Sequence, residues 1–196
     1  NLMKEIVFYG RGGHGAVMAS EIAAIAAYNS GANSQAFPFF GGERRGAPVK
    51  AFLRIDSNPI MLHSQIYTPD IIVVLDAELL HVAINEISLQ GLNENGTILI
   101  NGKNEDVARV AINEIKAKNI KAFYIDAISI AVSLELVVAG WPVINTVMLG
   151  ALANSASVFS FDALEKAINE YWPQPLAEKN VEASKEGFNS VKKVNL

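Results

Sequence analysis

Two rhythms of apolar residues alternate along the chain: short continuous runs, and longer stretches with helical spacing. Residues 4–9 (KEIVFY) predict a buried strand, and Ala16–Asn29 an alanine-rich helix suited to close packing on a sheet, with Gly31 as its stop. Residues 34–37 predict a short second strand, and 38–48 a shaped loop. Residues 49–55 (VKAFLRI) alternate as a half-buried strand does, and the turn signal at 56–59 lets 60–63 pair back antiparallel. The run 71–75 (IIVVL) after Pro69-Asp70 reads as a central parallel strand. Further on, 79–90 predicts a helix, 97–100 a strand after an Asn95-Gly96 turn, 105–118 an amphipathic helix, and Lys121–Ile125 a strand. Residues 127–139 and 143–158 predict apolar helices joined through Gly140-Trp141-Pro142. Phe161–Tyr171 and 176–191 predict surface helices, separated by Pro173 and Pro175.

Strands alternating with helices predict a doubly wound, mostly parallel, Rossmann-like α/β sheet in three layers, with helices on both faces. The length of 196 residues fits one domain, 1–196, with the Pro-flanked helix near 175–191 as the one candidate appendage. Asn1-Leu2 reads as a remnant ahead of a natural start at Met3. The N-terminus enters a strand pattern at once, without a signal-peptide pattern. The longest apolar runs fall far short of the roughly 20 residues a spanning helix needs. A cytoplasmic setting is the expectation.

Composition narrows the chemistry. The chain has no cysteine, which removes disulfides, thiol catalysis and cysteine-ligated zinc or iron–sulfur clusters. A formal net charge of -4 argues against general nucleic-acid binding. His14, His63 and His81 lie far apart, without the spacing of a local metal pair. His63 and His81 read as structural or surface residues. No serine–histidine–aspartate set stands out as a catalytic triad.

Gly10, Arg11, Gly12, Gly13, His14 and Gly15 match G-x-G-x-x-G between a strand and a helix. Glycines there let backbone N–H groups approach a phosphate, and the helix start adds partial positive charge. Arg11 is a further donor. The same glycines also serve a tight packing turn, and both readings stand. For His14, ligand contact and packing are likewise both open. An ordinary dinucleotide site wants an acidic residue about 20 positions on, and 30–37 (SGANSQAF) has none. Asp76 and Asp126 sit at the carboxyl ends of predicted strands, where ligands bind, but suit helix capping better. Asn145, within an apolar helix, needs a partner if buried. A hydrogen bond to the glycine loop or to another chain would satisfy it.

Residues 36–49 (AFPFFGGERRGAPV) place Phe37, Phe39, Phe40, Glu43, Arg44 and Arg45 among glycines and prolines. The segment reads either as a solvated basic turn or as an interface, where aromatics and arginine concentrate. GRGGHG followed by QAFPFFGGERRGAPVKAFLRI resembles the γ subunit of pyruvate and related 2-oxoacid:ferredoxin oxidoreductases, as do Pro69-Asp70 before IIVVLD and the segment 145–151 (NTVMLGA). The likeness runs over essentially the whole chain. His14, where the family often has Gln, and Gly42, where Pro is usual, depart from it. The resemblance implies a complex that decarboxylates a 2-oxoacid on thiamine diphosphate with magnesium, passes electrons through 4Fe–4S clusters to ferredoxin or flavodoxin, and forms an acyl-CoA. The cofactors would sit in α, β and δ-type partner subunits. This chain would supply assembly contacts and CoA positioning, and the -GERRGAPV- loop looks more like pyruvate enzymes. The alternative is a stand-alone Rossmann-type nucleotide-binding enzyme.

Overall fold

The computed structural model describes residues 3–12, 15–39, 47–82 and 89–196. One seven-stranded sheet organises them, in the order β2-β3-β1-β4-β5-β6-β9. Its members are β1 (Lys4–Arg11), β2 (Asn33–Phe39), β3 (Pro48–Asp56), β4 (Ile71–Val74), β5 (Thr97–Asn101), β6 (Lys121–Ile125) and β9 (Lys192–Lys193). β1, β4, β5 and β6 form the parallel centre. Antiparallel pairings close both edges, β3 with β1 and β2 on one side and β9 with β6 on the other. The α/β class is as the alternation predicts.

The two faces differ in their cover. On one, α1 (Ala16–Asn29), α5 (Asn145–Ala156), α6 (Phe161–Tyr171) and α7 (Leu176–Ser190) pack over Ile6, Phe8, Leu53, Val73 and Leu99. The alanines of α1 make this close: Ala19, Ala23, Ala26 and Ala27 are fully buried, and small side chains let a helix axis approach the sheet. The other face holds Val7, Tyr9, Phe52, Ile72 and Ile98. It is covered by α2 (Leu79–Val82), a 3-10 turn at Leu89–Gly91 and α3 (Glu105–Glu114).

Several boundaries depart from the pattern. Residues 60–63 do not pair back, because β3 already has β1 and β2 on its two sides. The expected helix 79–90 starts as α2 and ends in the 3-10 turn. α3 stops at Glu114, where Ile115 turns extended. The helix expected over 127–139 ends early, as α4 (Ala127–Ser133). Glu135 takes a left-handed φ of 55°, and β7 (Val137–Val138) and β8 (Trp141–Pro142) then form a hairpin around Ala139 and Gly140, at φ 51° and 83°. The candidate appendage 175–191 is an integral layer: α7 buries Ala177, Asn180, Ala183, Ser184 and Gly187, chiefly against α5.

α6 is tied to α1 by Tyr171, whose hydroxyl donates to Glu21 Oε2 at 2.7 Å. Burial, then the bond to Glu21 and its charge, push the phenol up to about 12. The unfolded value is about 10. Because the folded state holds this proton more tightly, the contribution is full below about pH 10 and is lost as pH rises through about 12. Tyr171→Phe should therefore show a shallower loss of unfolding free energy than the wild type across that window in urea titrations. Identical slopes would rule the linkage out.

Candidate functional site

The carboxyl ends of the parallel strands open into one crevice of about 1060 Å³. The segments after β1 and β4 to β6 deliver residues to it: Gly15 follows β1, Leu75 and Asp76 follow β4, Asn101 ends β5, and Asp126 follows β6, while Arg11, the last residue of β1, stands beside it through Asp76. Leu75, Asp76, Asn101 and Asp126 line the crevice with Gly15, Met18 and Asn145. Most of the remaining wall is apolar, from Ile128 and Leu136 to Val143 and Leu176, and both of the chain's tryptophans, Trp141 and Trp172, are part of it. This is where open α/β sheets bind ligands.

Asn101 fixes the floor. It is buried, its Nδ2 donates to the Leu75 carbonyl at 2.9 Å, and its Oδ1 accepts from Ala127 N–H at 3.1 Å. One side chain thus ties the ends of β4 and β5 to the start of α4. The sequence reading passed over it. The signal available was a polar residue closing the apolar run TILI just before Gly102. Asp126 caps α4, accepting from Ser129 N–H at 3.0 Å and Ser129 Oγ at 2.7 Å. Asp76, read from the sequence as a helix cap, accepts from Glu78 N–H at 2.9 Å in the turn just ahead of α2.

Gly10 and Arg11 belong to β1, so the strand runs into the glycine motif. Gly12 N–H donates to the Ala47 carbonyl at 2.9 Å. Gly15 is the N-cap of α1 at φ 81° and supplies no side-chain acceptor. The left-handed conformation favours glycine, and a Cβ there would also press on Asn145 Nδ2 at 3.1 Å. Asn145 is 1% exposed at the start of α5. It lies against Gly15, but the hydrogen bonds it makes among the described residues are not the one expected to the glycine loop: its Nδ2 donates to Met18 Sδ at 3.1 Å and its Oδ1 accepts from Thr146 N–H at 2.9 Å. α1 and α5 both lack a capping side chain at the N-cap and an acidic first turn. α3, whose first turn also reaches the crevice at Val107, has both, as does α6, which opens elsewhere.

The fold brings the two sequence motifs together. β1 and β3 pair Arg11 with Pro48 and Gly12 bonds to Ala47, so one end of the aromatic–arginine segment adjoins the glycine motif, while the other, Phe39, pairs with Lys50 one strand further out. Phe37 stacks at 5.1 Å on Phe52, and Phe39 lies 6.4 Å from the same ring with its own ring partly exposed. Gly13, His14, Phe40, Glu43, Arg44 and Arg45 lie outside the described residues. His63 is exposed. Among the described residues, no three His, Cys, Asp or Glu side chains cluster to hold a metal ion, and no helix is long and apolar enough to cross a membrane.

A doubly wound sheet whose crevice meets a glycine-started helix at the carboxyl ends of its strands defines a ligand-binding α/β protein. The family model for pyruvate ferredoxin/flavodoxin oxidoreductase matches residues 5–190, and the chain belongs to that family. It is similar to pyruvate synthase subunit PorC of Methanothermobacter marburgensis, 46% identical over 97% of this chain and 98% of the other. It is also similar to the pyruvate/ketoisovalerate oxidoreductases common subunit gamma of Thermococcus kodakarensis, 43% identical over 95% and 96%. The crystal structure of pyruvate oxidoreductase subunit PORC from Thermotoga maritima superposes with a TM-score of 0.81 at 34% identity, covering both chains in full. The chain is thus a γ subunit of a multi-subunit 2-oxoacid oxidoreductase, which sets aside the stand-alone Rossmann enzyme.

Proposed function

We propose that this subunit positions coenzyme A for acyl transfer in a cytoplasmic, pyruvate-type oxidoreductase and joins it to α, β and δ-type partners through residues 37–49. Thiamine diphosphate, magnesium and the iron–sulfur clusters belong to those partners, which pass electrons to ferredoxin or flavodoxin. With no cysteine, this chain has no thiolate to offer a cluster. The Thermococcus relative is named as common to pyruvate and ketoisovalerate enzymes, which supports a role that does not choose the 2-oxoacid.

The carrying observation is the start of α1 at the crevice: a left-handed Gly15 and a helix N-terminus without side-chain cap or first-turn acid. That arrangement favours an anion, and coenzyme A brings a pyrophosphate and a 3′-phosphate. The residues present fit it in outline. Gly15 would let phosphate approach the backbone, Asn145 would set the turn, and Trp141 and Trp172 suit a purine ring. Coenzyme A, when bound, supplies the thiol that takes up the acyl group.

In the reconstituted complex, Gly15→Ala should raise KM for coenzyme A by about tenfold, the effect of losing roughly 1.4 kcal/mol of binding, with KM for the 2-oxoacid unchanged. Arg11→Ala carries the same test should Gly15→Ala fail to assemble. If assembled variants alter only the 2-oxoacid constants, or neither set, the glycine motif is a packing turn.

A further inference from the structure

Arg11 does not project from the glycine motif as a loose cation. Its Nε donates to Asp76 Oδ2 at 2.6 Å, and its Nη2 lies 3.6 Å from Glu78 Oε2. The Arg11 and Asp76 side chains are only 23% and 16% exposed, so this pair is sheltered rather than a surface contact. Asp76 is itself held on several sides. Leu75 N–H donates to the Tyr9 carbonyl at 2.8 Å, and Asn101 Nδ2 holds the Leu75 carbonyl at 2.9 Å. The other Asp76 oxygen accepts from Glu78 N–H. A chain of fixed groups therefore runs from the floor of the crevice to the guanidinium: Asn101, the Leu75 backbone, Asp76, Arg11.

We infer that Asp76 is a positioning residue for the acyl-transfer step: it fixes the Arg11 guanidinium beside the glycine turn so that the cation meets an incoming phosphate in one orientation. This rests on the reading of the crevice as the coenzyme A site. The carboxylate that opposes the anion by charge would assist it by geometry, because a flexible arginine must otherwise be ordered when the ligand binds. Charge and position predict opposite signs. The Asp76 carboxylate is itself an anion beside a site proposed to bind one. If charge alone mattered, removing the Asp76 carboxylate would favour an anionic ligand and lower KM for coenzyme A. If Asp76 positions Arg11, the same change raises it.

Asp76→Asn separates the two roles of this side chain. The amide oxygen still accepts the Glu78 N–H, so the turn keeps its cap, while the ion pair is lost. In the assembled enzyme we expect KM for coenzyme A to rise about five- to tenfold, the scale of one charge-assisted contact partly lost, with KM for the 2-oxoacid unchanged. Asp76→Glu is the second variant. It keeps the charge and moves it by one methylene relative to Arg11 and the Glu78 N–H, so a rise in KM for coenzyme A reports the placement of the carboxylate and not its charge, and about a threefold rise is expected. An unchanged or lowered KM in Asp76→Asn, or no change in Asp76→Glu, would overturn the inference. Arg11→Ala, measured alongside, tells the two failures apart. If it raises KM for coenzyme A while the Asp76 variants do not, only the positioning role falls. If no variant moves that constant, the coenzyme A reading falls with it.

Discussion

A single methyl group at Gly187 or Gly150 should destabilise the subunit by about 3 kcal/mol or more, above the usual range for overpacking. A Cβ on Gly187 would sit 2.0 Å from the Val147 carbonyl oxygen, and one on Gly150 would sit 1.8 Å from that of Ser184. Both obstacles are backbone, so no side-chain rotation relieves them. The helices must move apart, and the contact between α5 and α7 is the most extensive between any two helices of the fold. Around it, Thr146 Oγ1 donates to Asn180 Oδ1 at 2.9 Å and Asn154 Nδ2 to the Phe188 carbonyl at 2.8 Å. These pairs and the Gly150–Ser184 contact advance together by one turn at a time, so the two helices run side by side in the same direction. Alanine would gain up to about 1 kcal/mol in helix propensity, which cannot offset such an overlap. For a chain of this size a loss of about 3 kcal/mol lowers Tm by about 6–12 °C. Calorimetry of either glycine-to-alanine variant is the check, and a Tm within about 2 °C of wild type would contradict the packing described.

The second large effect is expected at Arg54. Its side chain is 1% exposed, the largest fully buried one described. Nε donates to Glu5 Oε1 at 2.8 Å, Nη2 to the Ser64 carbonyl at 2.8 Å and Nη1 to Gln35 Oε1 at 3.3 Å, with the Phe37 ring 5.4 Å away. Breaking a buried pair by removing one partner costs about 3–5 kcal/mol. Glu5 keeps some access to water, its side chain 21% exposed, which places Arg54→Ala near the lower end of that range. Arg54 also fastens the irregular segment 57–70 through Ser64, so the variant should be cleaved there by protease before the rest of the fold opens. Urea unfolding, with Glu5→Gln and the double variant completing a cycle, measures the coupling. A loss below about 1 kcal/mol, or no new cleavage in that segment, would count against this role.

These two sites mark where the sequence was legible and where it was not. The regular elements came from local rules. Ala16–Asn29 and Phe161–Tyr171 fall where the pattern puts them, the latter behind the capping side chain of Ser160. The class of sheet followed from the alternation of elements. Arg54 was hidden in a run that reads as an ordinary half-buried strand, because its partners lie 49, 19 and 10 residues away and only the register of β1, β2 and β3 brings them together. The hairpin at 137–142 was hidden because an apolar run carries no mark of the left-handed turn at Glu135 that ends the helix. At the site, the glycine motif and Asn145 were visible as residues, whereas the Arg11–Asp76 pair and the junction of Gly12 with Ala47 depend on strands adjacent in space but not in sequence.

The two tryptophans have a practical consequence. Trp141, on the hairpin, is 60% exposed, Trp172 is half-buried, and the crevice lies against both. The chain has no other indole, so emission excited selectively from tryptophan comes from this one region. Whatever fills the crevice changes the hydration of at least one of these rings. The subunit thus carries a built-in optical reporter of occupancy, readable by emission wavelength and quencher access without any label.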